Sequence, residues 1–180
     1  MNAMSALAWL FPVIFMVHDF EEIVLVGAWR KRNERRLSEA LGKRGPYTAF
    51  VSTASFSFAV EIEFVLFAGI ALISCLTGNY LVWFAFFAGF TLHLLVHIGM
   101  TARFGGYVPG LATAIPFLPL SVWIFFRAAS LTGYGAITLA AATLVGLAAM
   151  PALIFGLHKC MAAFGRRINL YARGGRPGEN

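Results

Sequence analysis

The sequence has few charged residues. Only 12% of its 180 residues are Asp, Glu, Lys or Arg, whereas 59% are hydrophobic and the mean hydropathy is +0.77. About a quarter of the residues are charged in a typical soluble domain. A soluble chain of this size could not bury so many apolar residues on all sides. The scarcity of charge therefore excludes a soluble globular domain and predicts a polytopic membrane protein.

Other common features are also scarce or missing. The two cysteines, Cys75 and Cys160, are predicted at opposite ends of the membrane and form no Cys-x-x-Cys pair, so neither a disulfide nor a thiol redox motif is expected. The start of the sequence lacks the basic region of a cleavable signal peptide. No internal repeat is visible, which disfavours a secondary transporter built from inverted repeats. The zincin motif His-Glu-x-x-His is absent, so a metalloprotease is not implied.

Five apolar segments are each long enough to cross a bilayer, which requires ~20 mostly apolar residues. They are predicted at about residues 5–29, 47–76, 80–103, 109–127 and 136–158. The fold class is therefore all-α, a polytopic membrane helix bundle of about five transmembrane helices. Residues 1–165 are expected to form a single domain, and residues 166–180 a basic, flexible tail.

Basic residues mark one side of this predicted bundle. They concentrate in the loop at 30–46, at Arg103 and in the tail, which share one side in a five-helix chain. The positive-inside bias places that side in the cytoplasm. We therefore expect a bacterial inner (cell) membrane protein with its N-terminus outside and its C-terminus cytoplasmic. The same bias accounts for the net charge of +6, so membrane lipid is an expected partner and nucleic acid is not. The sequence does not indicate an oligomeric state.

One stretch departs from the apolar pattern. His18-Asp19-Phe20-Glu21-Glu22 lies inside the first apolar segment. A charged side chain at bilayer depth costs at least ~2.5–3.5 kcal/mol on insertion scales. Acids there must be protonated, paired, metal-bound or hydrated, and each of these states indicates a functional site.

Helical geometry brings more polar residues to the same depth. Residues three or four apart share a helix face, so His18, Glu21 and Glu22 form a stripe on the first helix. His93 and His97 form a second stripe on the third helix, and both stripes lie in the cytoplasmic half of the membrane. Zn, Fe and Mn bind such mixed imidazole and carboxylate sets. The pattern therefore predicts a divalent transition metal site.

One metal would be held by His18, Glu22 and His97, whereas two metals would also require Glu21, Glu61 and His93. Glu61 and Glu63 point to faces of the second helix roughly 200° apart, so only one of them is expected at the site. Depth favours Glu61. A metal-free alternative is a proton-transfer site in which packed acids share protons.

These residues resemble a family of integral membrane proteins named for its HXXEE motif, read here as His18-x-x-Glu21-Glu22. That family also has a further histidine and a Tyr-x-Pro-Gly element. His97 is the better match for the histidine, with His93 as the alternative, and residues 107–110 match the element. The resemblance covers about residues 10–160. It implies a membrane fold and a site at these residues, but it names no reaction.

Three functions are compatible with this pattern. The first is a metalloenzyme that acts on a lipid or other apolar small molecule by hydrolysis or oxidation. Glu21 would then be the general base, and Tyr107 would reach a ligand or metal-bound water at the mouth of the site. Tyr107 could equally be an interfacial aromatic anchor. The second function is a metal-free acid–base isomerase or cyclase. The third is a proton-coupled transporter, which the lack of repeats disfavours.

Overall fold

A computed structural model describes residues 2–41, 47, 52–172 and 174. Its helices are α1 (Ala3–Leu41), α2 (Thr53–Thr77), α3 (Leu81–Phe104), α4 (Leu111–Thr132) and α5 (Ala136–Ala172). Each helix contains a stretch long and apolar enough to cross a membrane, and the described ranges contain no strand. The chain is therefore an all-α integral membrane protein with five candidate spans, and the predicted fold class is confirmed.

The first and last helices are longer than predicted. Helix α1 continues through the basic segment to Leu41, with a kink at Asn33, whose backbone is not helical (φ −116°, ψ 17°). Helix α5 continues to Ala172, so residues 166–172 of the predicted tail are helical. Gly174 lies in a turn, and the rest of the predicted tail falls outside the described residues. The second helix begins at Thr53, later than the predicted residue 47.

An aromatic core fills the half of the bundle that precedes the polar motif in α1. Phe11 of α1 stacks on Phe67 of α2 with ring centroids 4.6 Å apart, and it meets Phe87 of α3 edge-on at 5.4 Å. Phe90, one turn further along α3, lies 6.0 Å from the ring of His18. Helices in a membrane associate mainly by such van der Waals packing. The polar residues therefore lie directly next to a tightly packed apolar core.

Helices α3 and α5 approach each other through small residues. A Cβ added to Gly146 would lie 1.6 Å from the carbonyl oxygen of Ala85, and one added to Gly89 would lie 2.6 Å from Cβ of Met150. Only glycine permits this backbone separation, as is common between membrane helices. Much of the rest of α5 is exposed and apolar, as at Leu144 and Phe155, so this helix presents a broad apolar surface at the edge of the bundle.

Candidate metal centre

Four of the predicted ligands converge between α1 and α3. One ligand atom from each of His18, Glu22, His93 and His97 lies within 4.8 Å of every other. His18, Glu22 and His97 are 0%, 5% and 1% exposed, and His93 is half-buried. We call these four residues the imidazole cluster. The structure therefore brings together four of the residues that the sequence suggested as metal ligands.

The distances within the cluster suit a small cation. Nε2 of His97 lies 3.0 Å from Nε2 of His93 and 3.6 Å from Oε1 of Glu22. Ligand distances of 2.0–2.2 Å in a tetrahedral zinc site imply ligand atoms ~3.4 Å apart. The two measured separations lie on either side of that value, so these three atoms are close to a coordinating arrangement.

A backbone carbonyl fixes the tautomer of His97. Its Nδ1 lies 2.9 Å from the carbonyl oxygen of Pro109. A carbonyl oxygen can only accept, so Nδ1 of His97 carries the hydrogen and donates it. In the neutral ring, Nε2 is then left with a lone pair that points at Glu22 and His93. Metal-ligating histidines are commonly oriented by this kind of outer hydrogen bond.

A threonine fixes the tautomer of His18 in the same way. The Thr113 hydroxyl lies 2.6 Å from Oε2 of Glu21 and 2.8 Å from Nδ1 of His18. An ionised carboxylate only accepts, so the hydroxyl donates to Glu21 and accepts from Nδ1–H of His18. Nε2 of His18 therefore carries a lone pair, and among the described residues it has no hydrogen-bond partner. A buried lone pair without a partner is costly, which favours a ligand at this position.

Glu21 faces the start of α4 and not the cluster. Its Oε1 accepts from the backbone N–H groups of Gly110 and Ala112, each at 3.1 Å, and from the hydroxyl of Tyr107. Its Oε2 accepts from the N–H and hydroxyl of Thr113 at 2.8 and 2.6 Å. Unpaired N–H groups at a helix N-terminus favour a carboxylate. A carboxylate offers about four acceptor sites, so these hydrogen bonds occupy Glu21 fully, and its role as the general base stays a prediction.

Two tyrosines flank the cluster. Tyr107 donates to Glu21, and desolvation together with this hydrogen bond raises the pKa of its phenol above the ordinary value. Tyr107 therefore supports Glu21, and the described structure shows no hydrogen bond from its hydroxyl to the cluster. Tyr47, which the sequence placed at the start of the second helix, has its hydroxyl 2.8 Å from Oε1 of Glu22 and 2.9 Å from the Pro109 carbonyl. Desolvation and the neighbouring Glu22 raise its pKa, so the hydroxyl is a donor.

No sequence signal singled out Tyr47. It has a positive φ of 65°, which is rare for a bulky residue. Such backbone outliers tend to occur at functional sites. The preceding and following residues, 42–46 and 48–51, lie outside the described part of the chain.

The glycine of the Tyr-x-Pro-Gly element touches both histidines. Gly110 has a φ of +87°, and a Cβ added there would lie 2.6 Å from Nδ1 of His97 and 3.1 Å from Cε1 of His18. Both the backbone conformation and the close approach require glycine. The element therefore completes the site: Pro109 orients His97, and Gly110 lets the turn pass against both rings.

The predicted choice between the two glutamates of α2 is reversed. Glu61 is exposed, whereas Glu63 is 8% exposed. Glu63 lies close enough to Asp19 and Glu22 for electrostatic interaction. Depth alone misled the prediction, because Glu63 and not Glu61 continues the buried face of α2 formed by Val60 and Phe67. Neither glutamate belongs to the imidazole cluster.

The family model described as "Protein of unknown function with HXXEE motif" matches residues 9–124. The match covers more than half of the chain and includes the motif, the imidazole cluster and the turn at 107–110. No curated protein and no solved structure matches the chain.

Proposed function

The chain belongs to the HXXEE family, and within this family we propose that it is an intramembrane metal-dependent enzyme. Its substrate would be a lipid or other apolar small molecule, and its reaction a hydrolysis or an oxidation. One observation carries the proposal: a ligand atom from each of His18, Glu22, His93 and His97 lies within 4.8 Å of every other, and Nε2 of His18 is buried without a hydrogen-bond partner among the described residues. Zn, Fe or Mn fits this set of imidazole and carboxylate donors.

Proton sharing accounts for the cluster less well. A single proton could bridge Nε2 of His93 and Nε2 of His97, which are 3.0 Å apart. That arrangement would still leave Nε2 of His18 without a partner in the described structure. A divalent cation would satisfy all three imidazoles and Glu22 together, so it removes the larger desolvation cost.

The residues around the cluster have distinct proposed roles. A bound divalent ion would supply an acidified water or a polarised substrate oxygen. Glu22 would be the carboxylate ligand, and the Tyr47 hydroxyl, 2.8 Å away, would orient it. Glu21 would act as a positioning residue, because it holds Thr113 and, through Thr113, the ring of His18.

A second candidate function is a metal-free acid–base isomerase or cyclase. Oδ2 of Asp19 and Oε1 of Glu63 are buried without a hydrogen-bond partner in the described ranges, and both carboxyl groups lie near Glu22. Three carboxyl groups in an apolar setting are suited to proton transfer to and from an apolar substrate.

Metal content separates the two candidates. Protein purified in detergent without chelators should carry about one Zn, Fe or Mn per chain, since one cluster offers one set of ligands. Elemental analysis of the wild type and of His158→Ala should give the same content, because His158 is the one histidine outside the cluster. Protein that carries well under one metal and takes up none of the three ions would overturn the metalloenzyme proposal and favour the isomerase.

We further propose that the protein resides in the bacterial inner (cell) membrane, with its N-terminus outside and its C-terminus in the cytoplasm. The basic end of α1, Arg103 and the basic end of α5 support this orientation. A reporter fused after residue 180 should behave as a cytoplasmic protein. An external reporter signal there would reverse the proposed topology without affecting the metal proposal.

A further inference from the structure

A cavity of about 290 Å³ lies between α3 and α5, beside the imidazole cluster. Its walls consist of apolar residues, one glycine and two histidines: Gly89, Leu92, His93, Val96, Met150, Pro151, Ile154, Phe155 and His158. Ligand sites are typically clefts of this character, mostly apolar with a few polar groups. Only His93 among these residues belongs to the imidazole cluster, so the cavity extends beyond the candidate metal centre.

The packing of α3 against α5 explains where the cavity is. The two helices are in tight contact where Gly89 meets Met150 and Gly146 meets Ala85. The cavity begins at Gly89 and Met150 and continues toward the C-terminal ends of both helices. Because the helices touch at Gly89 and Met150, the cavity is closed at that end. Pro151 also lines the cavity, and a proline inside a helix removes one backbone hydrogen bond and bends the helix.

His93 belongs both to this cavity and to the imidazole cluster. Its Nε2 lies 3.0 Å from Nε2 of the buried His97. Val96 and Phe155 also line the cavity, and both are exposed on the surface of the helix bundle, which in a membrane would meet lipid. A molecule could therefore pass from the lipid, between α3 and α5, to His93 without crossing water.

Besides His93, the cavity has a polar group at the end that lies away from Gly89. His158 lines it on α5, and Nζ of the adjacent Lys159 lies 4.8 Å from the centroid of the Phe155 ring. A cation and an imidazole beside an otherwise apolar cavity complement an anionic headgroup with an apolar tail. The volume is at the low end of ligand cavities, about 300–1,000 Å³, which suits one hydrocarbon chain better than two.

We propose that this cavity binds one hydrocarbon chain of an anionic membrane lipid and brings that chain past His93 to the metal centre. The headgroup lies at His158 and Lys159, and the chain lies between Leu92 and Ile154. This inference rests on the proposed function, because it assigns a substrate class to the same site. The cavity itself can nevertheless be tested without a metal.

The probe is a palmitic acid that carries a diazirine in its chain, mixed into phosphatidylcholine vesicles that contain the full-length protein. After illumination, mass spectrometry should find the label on residues that line the cavity. Val96→Trp should lower this labelling about tenfold, which corresponds to about 1.4 kcal/mol of binding free energy, because the indole fills the space that the chain would occupy. The matched control is Leu95→Trp: Leu95 is 50% exposed, close to the 44% of Val96, but it does not line the cavity.

A second variant, Ile154→Phe, fills the cavity with a side chain from α5. It keeps the test decisive if Val96→Trp does not fold. Lys159→Gln should weaken labelling by the acid and leave labelling by the matching diazirine alcohol unchanged. Equal labelling in wild type, Val96→Trp and Ile154→Phe would overturn the cavity proposal. A wild-type label confined to the outer surface of α5 would overturn it as well.

Metal content of the same samples separates this inference from the proposed function. Labelled cavity residues in protein that binds no metal would support the lipid site and overturn the metalloenzyme. Unlabelled cavity residues in protein with one metal per chain would overturn the lipid site and leave the metal centre standing.

Discussion

Two polar regions lie side by side in this membrane bundle and differ in how their lone pairs are satisfied. Around Glu21, both carboxylate oxygens accept hydrogen bonds from the N-terminus of α4 and from Tyr107. In the imidazole cluster, Nε2 of His18 has no such partner among the described residues, and the ligand atoms face one another. A satisfied network stabilises the fold, whereas converging ligand atoms that include a buried lone pair without a partner indicate a binding site.

The two regions are joined by consecutive residues of one motif. Glu21 and Glu22 are about 100° apart around α1, so they point to different neighbours. Glu22, four residues from His18, faces α3, and Glu21 faces the start of α4. Thr113 connects the two polar regions, because it contacts both Glu21 and His18. In the proposed function, the double glutamate of the motif would therefore supply one metal ligand and one positioning residue.

The largest expected effect is the loss of the metal when a ligand is removed. His18→Ala and His97→Ala should each weaken metal affinity by more than about 100-fold, since loss of an outer hydrogen bond alone costs 10–100-fold. Elemental analysis after dialysis against a weak chelator measures this. Full metal content in both variants would show that the cluster is not the binding site.

A substitution in the turn should disturb the cluster almost as strongly. Gly110→Ala places a methyl group against His97 and His18 and also forces an alanine into a positive φ. We expect a loss of roughly 2–4 kcal/mol in stability together with reduced metal content. Thermal unfolding in detergent and elemental analysis measure the two effects.

Gly133→Ala is the matched control for this turn. Gly133 has a φ of +67°, but a Cβ added there meets nothing within 4 Å. The Gly133→Ala variant should therefore lose only the stability that a positive φ costs an alanine, about 1–2 kcal/mol. Its metal content should not change. Equal behaviour of the two alanine variants would mean that the contact with the rings does not matter.

The sequence predicted the helices well because their apolar runs are long and the bilayer sets their length. It also predicted His18, Glu22, His93 and His97 as neighbours, because depth and helical spacing are set by backbone geometry. It could not predict which way Glu21 or Glu63 faces. That depends on how each helix is rotated in the bundle, which is decided by packing against the other helices.

The role of Tyr47 was equally beyond the sequence. A tyrosine near the start of an apolar segment is a common interfacial residue, and nothing in its neighbours indicates a turn back to Glu22. The contact with Glu22 joins residues 25 positions apart. The contact therefore depends on the tertiary structure and not on the local sequence.

A smaller effect is expected from the residue that joins the two regions. Thr113→Val removes the acceptor for Nδ1–H of His18 while keeping the size of the side chain. Metal affinity should fall by 10–100-fold, as for other outer-shell hydrogen bonds. Thr113→Ser keeps the hydroxyl and should restore most of the affinity. If the valine and serine variants bind metal equally, the tautomer of His18 is not set by Thr113.

The smallest expected change in metal affinity comes from Glu21→Gln, and it tests the comparison most directly. The amide can still accept on one oxygen, but its NH₂ group would face an N–H donor at the start of α4. We expect a stability loss of about 1–3 kcal/mol, as for a buried donor left unsatisfied. Metal affinity should fall less than tenfold, because Glu21 acts on the cluster indirectly, through Thr113 and Gly110. Glu22→Gln should show the opposite pattern, with metal lost and α4 undisturbed. If Glu21→Gln loses metal as completely as Glu22→Gln, Glu21 is itself a ligand and the two regions form a single site.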